Sequence, residues 1–122
     1  GITDSIPIKK SIKDGHKKNV VILTRDKTYR KSKPKFLSFF KLKYKKYPNL
    51  VKAIENRYKM YNETLDFIEE EKAKNKVFII QPKLPVKISR IEKDKDKLKA
   101  LYNQGYEDAK EIYEDLMKFL EE

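Results

Sequence analysis

Nucleophilic catalysis needs a side chain that attacks and a neighbour that takes its proton. The 122-residue sequence offers few such pairs. It has no Cys, which excludes thiol nucleophiles, disulfides and Cys-based zinc sites. Its one His, His16, lies in the polar stretch Asp14-Gly15-His16-Lys17-Lys18, where a turn role is expected, and a single His cannot build a multi-histidine metal site. Three glycines, Gly1, Gly15 and Gly105, are too few for a phosphate-cradling loop or a dinucleotide fingerprint. No serine is flanked by glycines in the Gly-x-Ser-x-Gly pattern of a nucleophile elbow. Carboxylates gather in Glu69-Glu70-Glu71 and Glu107-Asp108, but among lysines, the pattern of solvated helix faces with i,i+4 pairs. The residues of this chain are therefore expected to carry no catalytic centre, metal or cofactor.

A different chemistry is available at the stretch Phe36 to Lys46. Phe36, Phe39, Phe40 and Tyr44 fall among Lys41, Lys43, Lys45 and Lys46. On a helix these rings would enter a headgroup boundary while the cations meet anionic lipid. The competing reading packs the rings against a sheet and leaves the lysines solvated. The charge of the chain is unevenly distributed. Residues 1–58 hold 17 Lys/Arg against 4 Asp/Glu, a net +13, whereas residues 59–122 hold 13 against 15, a net −2. Such an excess attracts polyanions, whether a membrane face or nucleic acid. For nucleic acid, Lys9, Lys10, Lys17, Lys18, Arg30, Lys31, Lys33 and Lys35 would have to track phosphates and Tyr29 or Tyr44 stack bases. No helix-turn-helix, zinc-finger or RNA-recognition signature accompanies them, and a lysine-rich composition alone explains the charge, so nucleic acid is not the expected partner. No apolar run approaches a membrane span and no signal-peptide pattern opens the chain, so a cytoplasmic protein, at most peripheral to a membrane, is expected.

These residues must be positioned by a small set of elements. Ser5 as N-cap, Pro7 in the first turn and Gly15 at the end predict a short helix, with Ile8 and Ile12 one turn apart. The apolar run Asn19 to Thr24 predicts a strand covered on both faces. Residues 25–35 form a basic connector, and a short helix is expected from Phe36 to Tyr47. Leu50, Ile54, Tyr58, Tyr61, Leu65 and Ile68 keep the spacing of one helix face from Pro48 to about Lys74. Lys76 to Gln81 predicts a second buried strand, and residues 82–92, with two prolines, an extended segment. Asp94 or Asp96 is expected to cap a final helical region with Gly105 on its apolar face, marking a close approach or a kink. The fold class is α/β: two buried parallel strands with long amphipathic helices. Residues 1–92 form the core with a helical insert, and residues 93–122 a helical region packed on it as one structural unit. Two such strands need neighbours the chain does not supply, so oligomerisation or, in preference, origin in a larger protein is expected.

The opening Gly1-Ile2-Thr3-Asp4-Ser5-Ile6-Pro7-Ile8 resembles the segment just after the catalytic aspartate of bacterial patatin-like phospholipases, where an Asp-Gly-Gly or Asp-Gly-Ala motif leads into an Ile-Pro helix and an apolar strand. Asn19 to Arg25, Lys43-Tyr44-Lys45-Lys46-Tyr47-Pro48, Tyr61-Asn62-Glu63-Thr64-Leu65, Phe78-Ile79-Ile80-Gln81-Pro82 and Leu98 to Ala109 are similar to later segments of one bacterial branch, in the same order. The resemblance implies the C-terminal part of a three-layer patatin-like fold. It also implies a parent enzyme that hydrolyses lipid or other esters with a Ser–Asp dyad, a glycine-rich oxyanion loop and no cofactor. Gly1 would be the last glycine of the aspartate motif, and the dyad would lie in an upstream catalytic segment. Asp4 falls after that motif and is assigned a loop or capping role.

Overall fold

A computed structural model describes residues 4–89 and 91–122. The chain divides into two interleaved units, Gly1–Lys17 with Arg30–Ala73 and Lys18–Tyr29 with Lys74–Glu122. As a whole it mixes helices with a two-stranded parallel sheet.

In the first unit, Pro48 opens a 26-residue helix, α3 (Pro48–Ala73), at the first helical position, where a missing N–H costs nothing. Its expected apolar stripe holds: Leu65 and Ile68 are buried, Ile68 to 1% exposure, and Leu50, Ile54, Tyr58 and Tyr61 are half-buried. Val51 and Glu71 are buried as well. Glu71 corrects the expectation of a solvated acidic run. It stands three residues beyond Ile68, so helical period carries it onto the inward face whatever its charge. The short helix α1 (Ile8–Lys13) begins from Pro7 with no side-chain cap, so Ser5 does not serve as N-cap. Asp4 instead accepts the N–H of Ile6 at 3.2 Å, a loop role. Gly15, at φ 99°, takes the left-handed conformation that stops α1. Lys9 Nζ lies 5.4 Å from the ring centre of Phe67 on α3. Helix α2 (Leu37–Lys43) is the third helix of this unit and packs on α3.

In the second unit, β1 (Asn19–Ile22) pairs in parallel with β2 (Val77–Ile80), Val20 opposite Phe78 and Val21 opposite Ile79. The Leu23 N–H continues the ladder to the Ile80 carbonyl at 2.8 Å. Val21, Val77 and Ile79 are buried on one face. On the other, Val20 is exposed and Ile22 is 73% exposed, which corrects the expectation that both strands are covered on both faces. Lack of alternation in Val20-Val21-Ile22-Leu23 signals apolar character on two faces, and among the described residues the second is covered only over β2, where Phe78 and Ile80 are half-buried.

Asp94 caps α4 (Lys95–Glu111), accepting the N–H groups of Asp96 and Lys97 at 3.0 and 3.2 Å. The C-terminal helical region breaks at Ile112, not at Gly105, and resumes as α5 (Tyr113–Glu121). Gly105 is helical, and a Cβ there would meet nothing within 4 Å, so it serves no close approach within the chain. The break re-aims the last turns: Phe119 of α5 meets Phe78 of β2 with ring centres 5.6 Å apart, and Lys18 Nζ donates to the Phe119 carbonyl at 3.0 Å.

Burial predicts an asymmetry in stability. Ile68→Ala should cost about 2–5 kcal/mol in urea unfolding, through lost contacts and a residual cavity. Ile22→Ala, equally large but exposed, should stay within about 0.5 kcal/mol. Equal losses at the two positions would contradict this assignment of the covered face. Asp26, also nearly buried, accepts from the Thr28 hydroxyl and, at 3.0 Å, from the Thr28 N–H. The hydroxyl bond is the main reason its carboxyl titrates below the usual range; burial opposes the shift without cancelling it. Because the folded value is the lower one, this contribution is complete above the unfolded value and vanishes as pH falls through the folded one. Thr28→Val should move the Asp26 midpoint upward in a carboxyl NMR titration; an unmoved midpoint would refute the hydroxyl's role.

Candidate functional site

Ten Lys/Arg and no Asp/Glu lie between Asp26 and Glu55, and α2 stands in the middle of that stretch. Its first residues lack a side-chain cap, and Phe36 precedes it with φ −110°. The helix is short because Tyr44 leaves helical geometry, with its N–H closing on the Phe40 carbonyl at 2.9 Å. The turn that follows is pinned by Tyr47 N–H donating to the Tyr44 carbonyl at 2.8 Å, immediately before Pro48 starts α3.

None of the seven residues of α2 is buried. Leu37, Phe40 and Tyr44 share one side and are half-buried. From that side Lys41 reaches Glu55 of α3 at 3.4 Å. Phe40 and Tyr44 stack with ring centres 6.2 Å apart and planes at 12°. The opposite side carries Phe39, 59% exposed, and Leu42, 77% exposed, with Phe36 exposed at the edge. Lys43 Nζ stands 5.8 Å from the Phe39 ring centre and 5.7 Å from that of Tyr44. This keeps its charge beside the apolar patch. Lys45 and Lys46 extend the same basic margin in the turn and are exposed.

Of the expected surface set, Phe36, Phe39, Lys43, Lys45 and Lys46 thus share an exposed basic-aromatic margin. Phe40 and Tyr44 point inward, and Lys41 is tied to α3. Leu42, outside the expected surface set, is the most exposed apolar residue of the patch; its one-turn spacing from Phe39 is the signal for it. Gly1 lies outside the described residues. The connector leading to α2 is held by Asn62 of α3, whose side chain accepts the Lys31 N–H at 2.8 Å and donates to the Lys31 carbonyl at 3.0 Å. Lys31 Nζ lies 5.0 Å from the Tyr61 ring centre. The basic stretch is therefore anchored at both ends to one rigid helix.

Chemically this surface can meet an anionic, partly apolar boundary. It contains no acid–base pair and no nucleophile. Among the described residues no group of three or more His, Asp or Glu side chains could hold a metal, and no helix is long and apolar enough to cross a membrane.

No curated protein and no solved structure matches the chain. One family does, over residues 47–121, a segment that holds α3, β2, α4 and α5. The chain belongs to this family, described as a domain of unknown function (DUF6363).

Proposed function

We propose that this chain is the membrane-facing part of a patatin-like lipid acyl hydrolase, resting the enzyme on an anionic bilayer through α2. The observation that carries the membrane half is the exposure of Phe39 and Leu42 on a helix that buries nothing, inside a stretch free of carboxylates. Exposed aromatic and aliphatic side chains ringed by lysines suit the headgroup boundary, where apolar burial and attraction to anionic lipid add. The enzymatic half rests on the ordered resemblance running from Gly1 to Ala109. In that reading the Ser–Asp dyad is supplied by an upstream segment, and the open face of β1 is covered by the remainder of a three-layer core. The substrate is a lipid or ester, no cofactor takes part, and the location is the cytoplasm, at the membrane periphery.

Two measurements test the two halves separately. Each Lys near a bilayer contributes about 1 kcal/mol, so changing Lys43, Lys45 and Lys46 to Gln should weaken co-sedimentation with anionic vesicles about a hundredfold. Phe39→Ser with Leu42→Ser should also weaken it, and neutral vesicles should bind little. Equal binding to both vesicle types, or none, would remove the membrane role. Retention on duplex DNA with a steep salt dependence, without vesicle binding, would replace it by a nucleic-acid role. For the enzymatic half, the protein from the full reading frame should hydrolyse a short-chain nitrophenyl ester and lose that activity to a serine-directed phosphonate. The 122-residue chain alone should be inactive. An inactive full-length protein without a Gly-x-Ser-x-Gly segment would end the acyl-hydrolase reading.

A further inference from the structure

The extended segment after β2 stands off from α4. Lys83 anchors its start, its N–H donating to Asp108 at 3.2 Å and its ammonium pairing with Glu111. Three residues on, the Val86 carbonyl is taken by Arg25, which donates at 3.2 Å from the side of β1. Pro82 and Pro85 stiffen the strap by fixing φ. Held at these two points, the strap leaves a groove of about 560 Å³ against α4. Leu84, Val86 and Ile88 line it from the strap, and Ala100, Leu101 and Gly105 from the helix. That volume falls within the range of small-molecule sites, about 300–1,000 Å³.

The polar groups of the groove are distributed unevenly. Because Lys83 meets Asp108 and Glu111 and the strap leads on to the start of α4, it runs antiparallel to the helix, and four extended residues, about 13 Å, carry Lys87 to within about a turn of Lys97. Lys97, in those turns, lines the same groove. Among the described residues neither lysine has a recorded ion pair. At the other end the Lys83 ammonium is matched by Glu111, and Asp108, which lines the groove, accepts the Lys83 N–H. The groove is therefore mostly apolar along its length, cationic toward one end and with the Asp108 carboxylate at the other. Between Lys97 and Asp108 it follows eleven residues of helix, about 16 Å. Gly105 faces this space, and any side chain there would project into it.

We infer that this groove binds one long-chain fatty acid, its tail along Leu84, Val86 and Leu101 and its carboxylate between Lys87 and Lys97. The match is one of charge and form: an open, mostly apolar trough with two unpaired cations toward one end suits a single-tailed anion. It depends on neither acyl hydrolysis nor the membrane contact of α2.

The test is calorimetric titration of the 122-residue chain with myristate below its micelle concentration. Saturable binding at one site per chain is expected. Tetradecyltrimethylammonium, which carries the same tail and a cationic head, should bind at least about tenfold weaker, and changing Lys87 and Lys97 to Gln should weaken myristate about tenfold or more. Gly105→Leu should block binding without destabilising the chain, since it replaces a helical glycine by a strong helix former in open space. Ala100→Phe, entering the groove from the same helix, should also block it. Phe39→Ser with Leu42→Ser should leave myristate affinity unchanged, separating this site from α2. Absence of binding, equal affinity for the two head groups, or full affinity in both Gly105→Leu and Ala100→Phe would overturn the inference. So would a dimer that Gly105→Leu disperses while myristate has no effect, since the groove would then belong to a second copy.

Discussion

Two parallel strands cannot be joined by a tight turn; the chain must travel back the length of the sheet before the second can pair with the first. Here the return from Leu23 to Val77 holds both α2 and the 26-residue α3. That requirement explains much of the organisation. It separates a strand unit from a helical unit that interrupts it in sequence. It also sets α2 in the middle of a long excursion that no sheet hydrogen bond constrains. A segment so placed can keep apolar side chains exposed without disturbing the ladder between Asn19 and Ile80.

The excursion is held instead by point contacts to α3. Asn62 satisfies both backbone groups of Lys31, and Glu55 receives Lys41. These are exposed or half-exposed polar contacts, each worth little alone. Their value is geometric: they fix where the basic stretch leaves and rejoins one rigid helix. Side-chain rings then order what lies between, with Phe40 stacked on Tyr44 and the Lys43 ammonium beside Phe39 and Tyr44. The result is a patch whose apolar and cationic parts are adjacent.

Much of this was legible in the residues. The stripe from Leu50 to Ile68 specified α3, Pro48 its start and Asp94 the cap of α4, because period and capping chemistry are local. Errors arose where local pattern and global placement part company. Val20 and Ile22 are as β-branched and apolar as a doubly buried strand demands, yet they are exposed here, and no neighbouring residue encodes what lies over a face. Glu71 followed the helical period inward against its charge. The expected close approach or kink at Gly105 follows from its weak helix propensity, whereas the observed break at Ile112 serves the contact of Phe119 with Phe78, on a strand more than thirty residues earlier. The strap and its groove were read only as an extended proline-containing segment. Their form depends on Arg25 and Asp108, distant in sequence from Val86 and Lys83 and unmarked by any local signal.

The parallel pairing of β1 and β2 also bears on how the chain leaves the ribosome. β1 is made roughly fifty residues before its partner, an interval of about 3–10 s at ordinary elongation rates of about 5–20 residues per second. During that time Val20-Val21-Ile22-Leu23 is an apolar β-forming run without its partner β2. Lys17 and Lys18 stand before it and Arg25 just after, where charges discourage pairing with the wrong chain. The same Lys18 and Arg25 later bond to the Phe119 and Val86 carbonyls. Charges that keep a nascent strand from self-association thus become fixed attachments once α5 and the strap have been made.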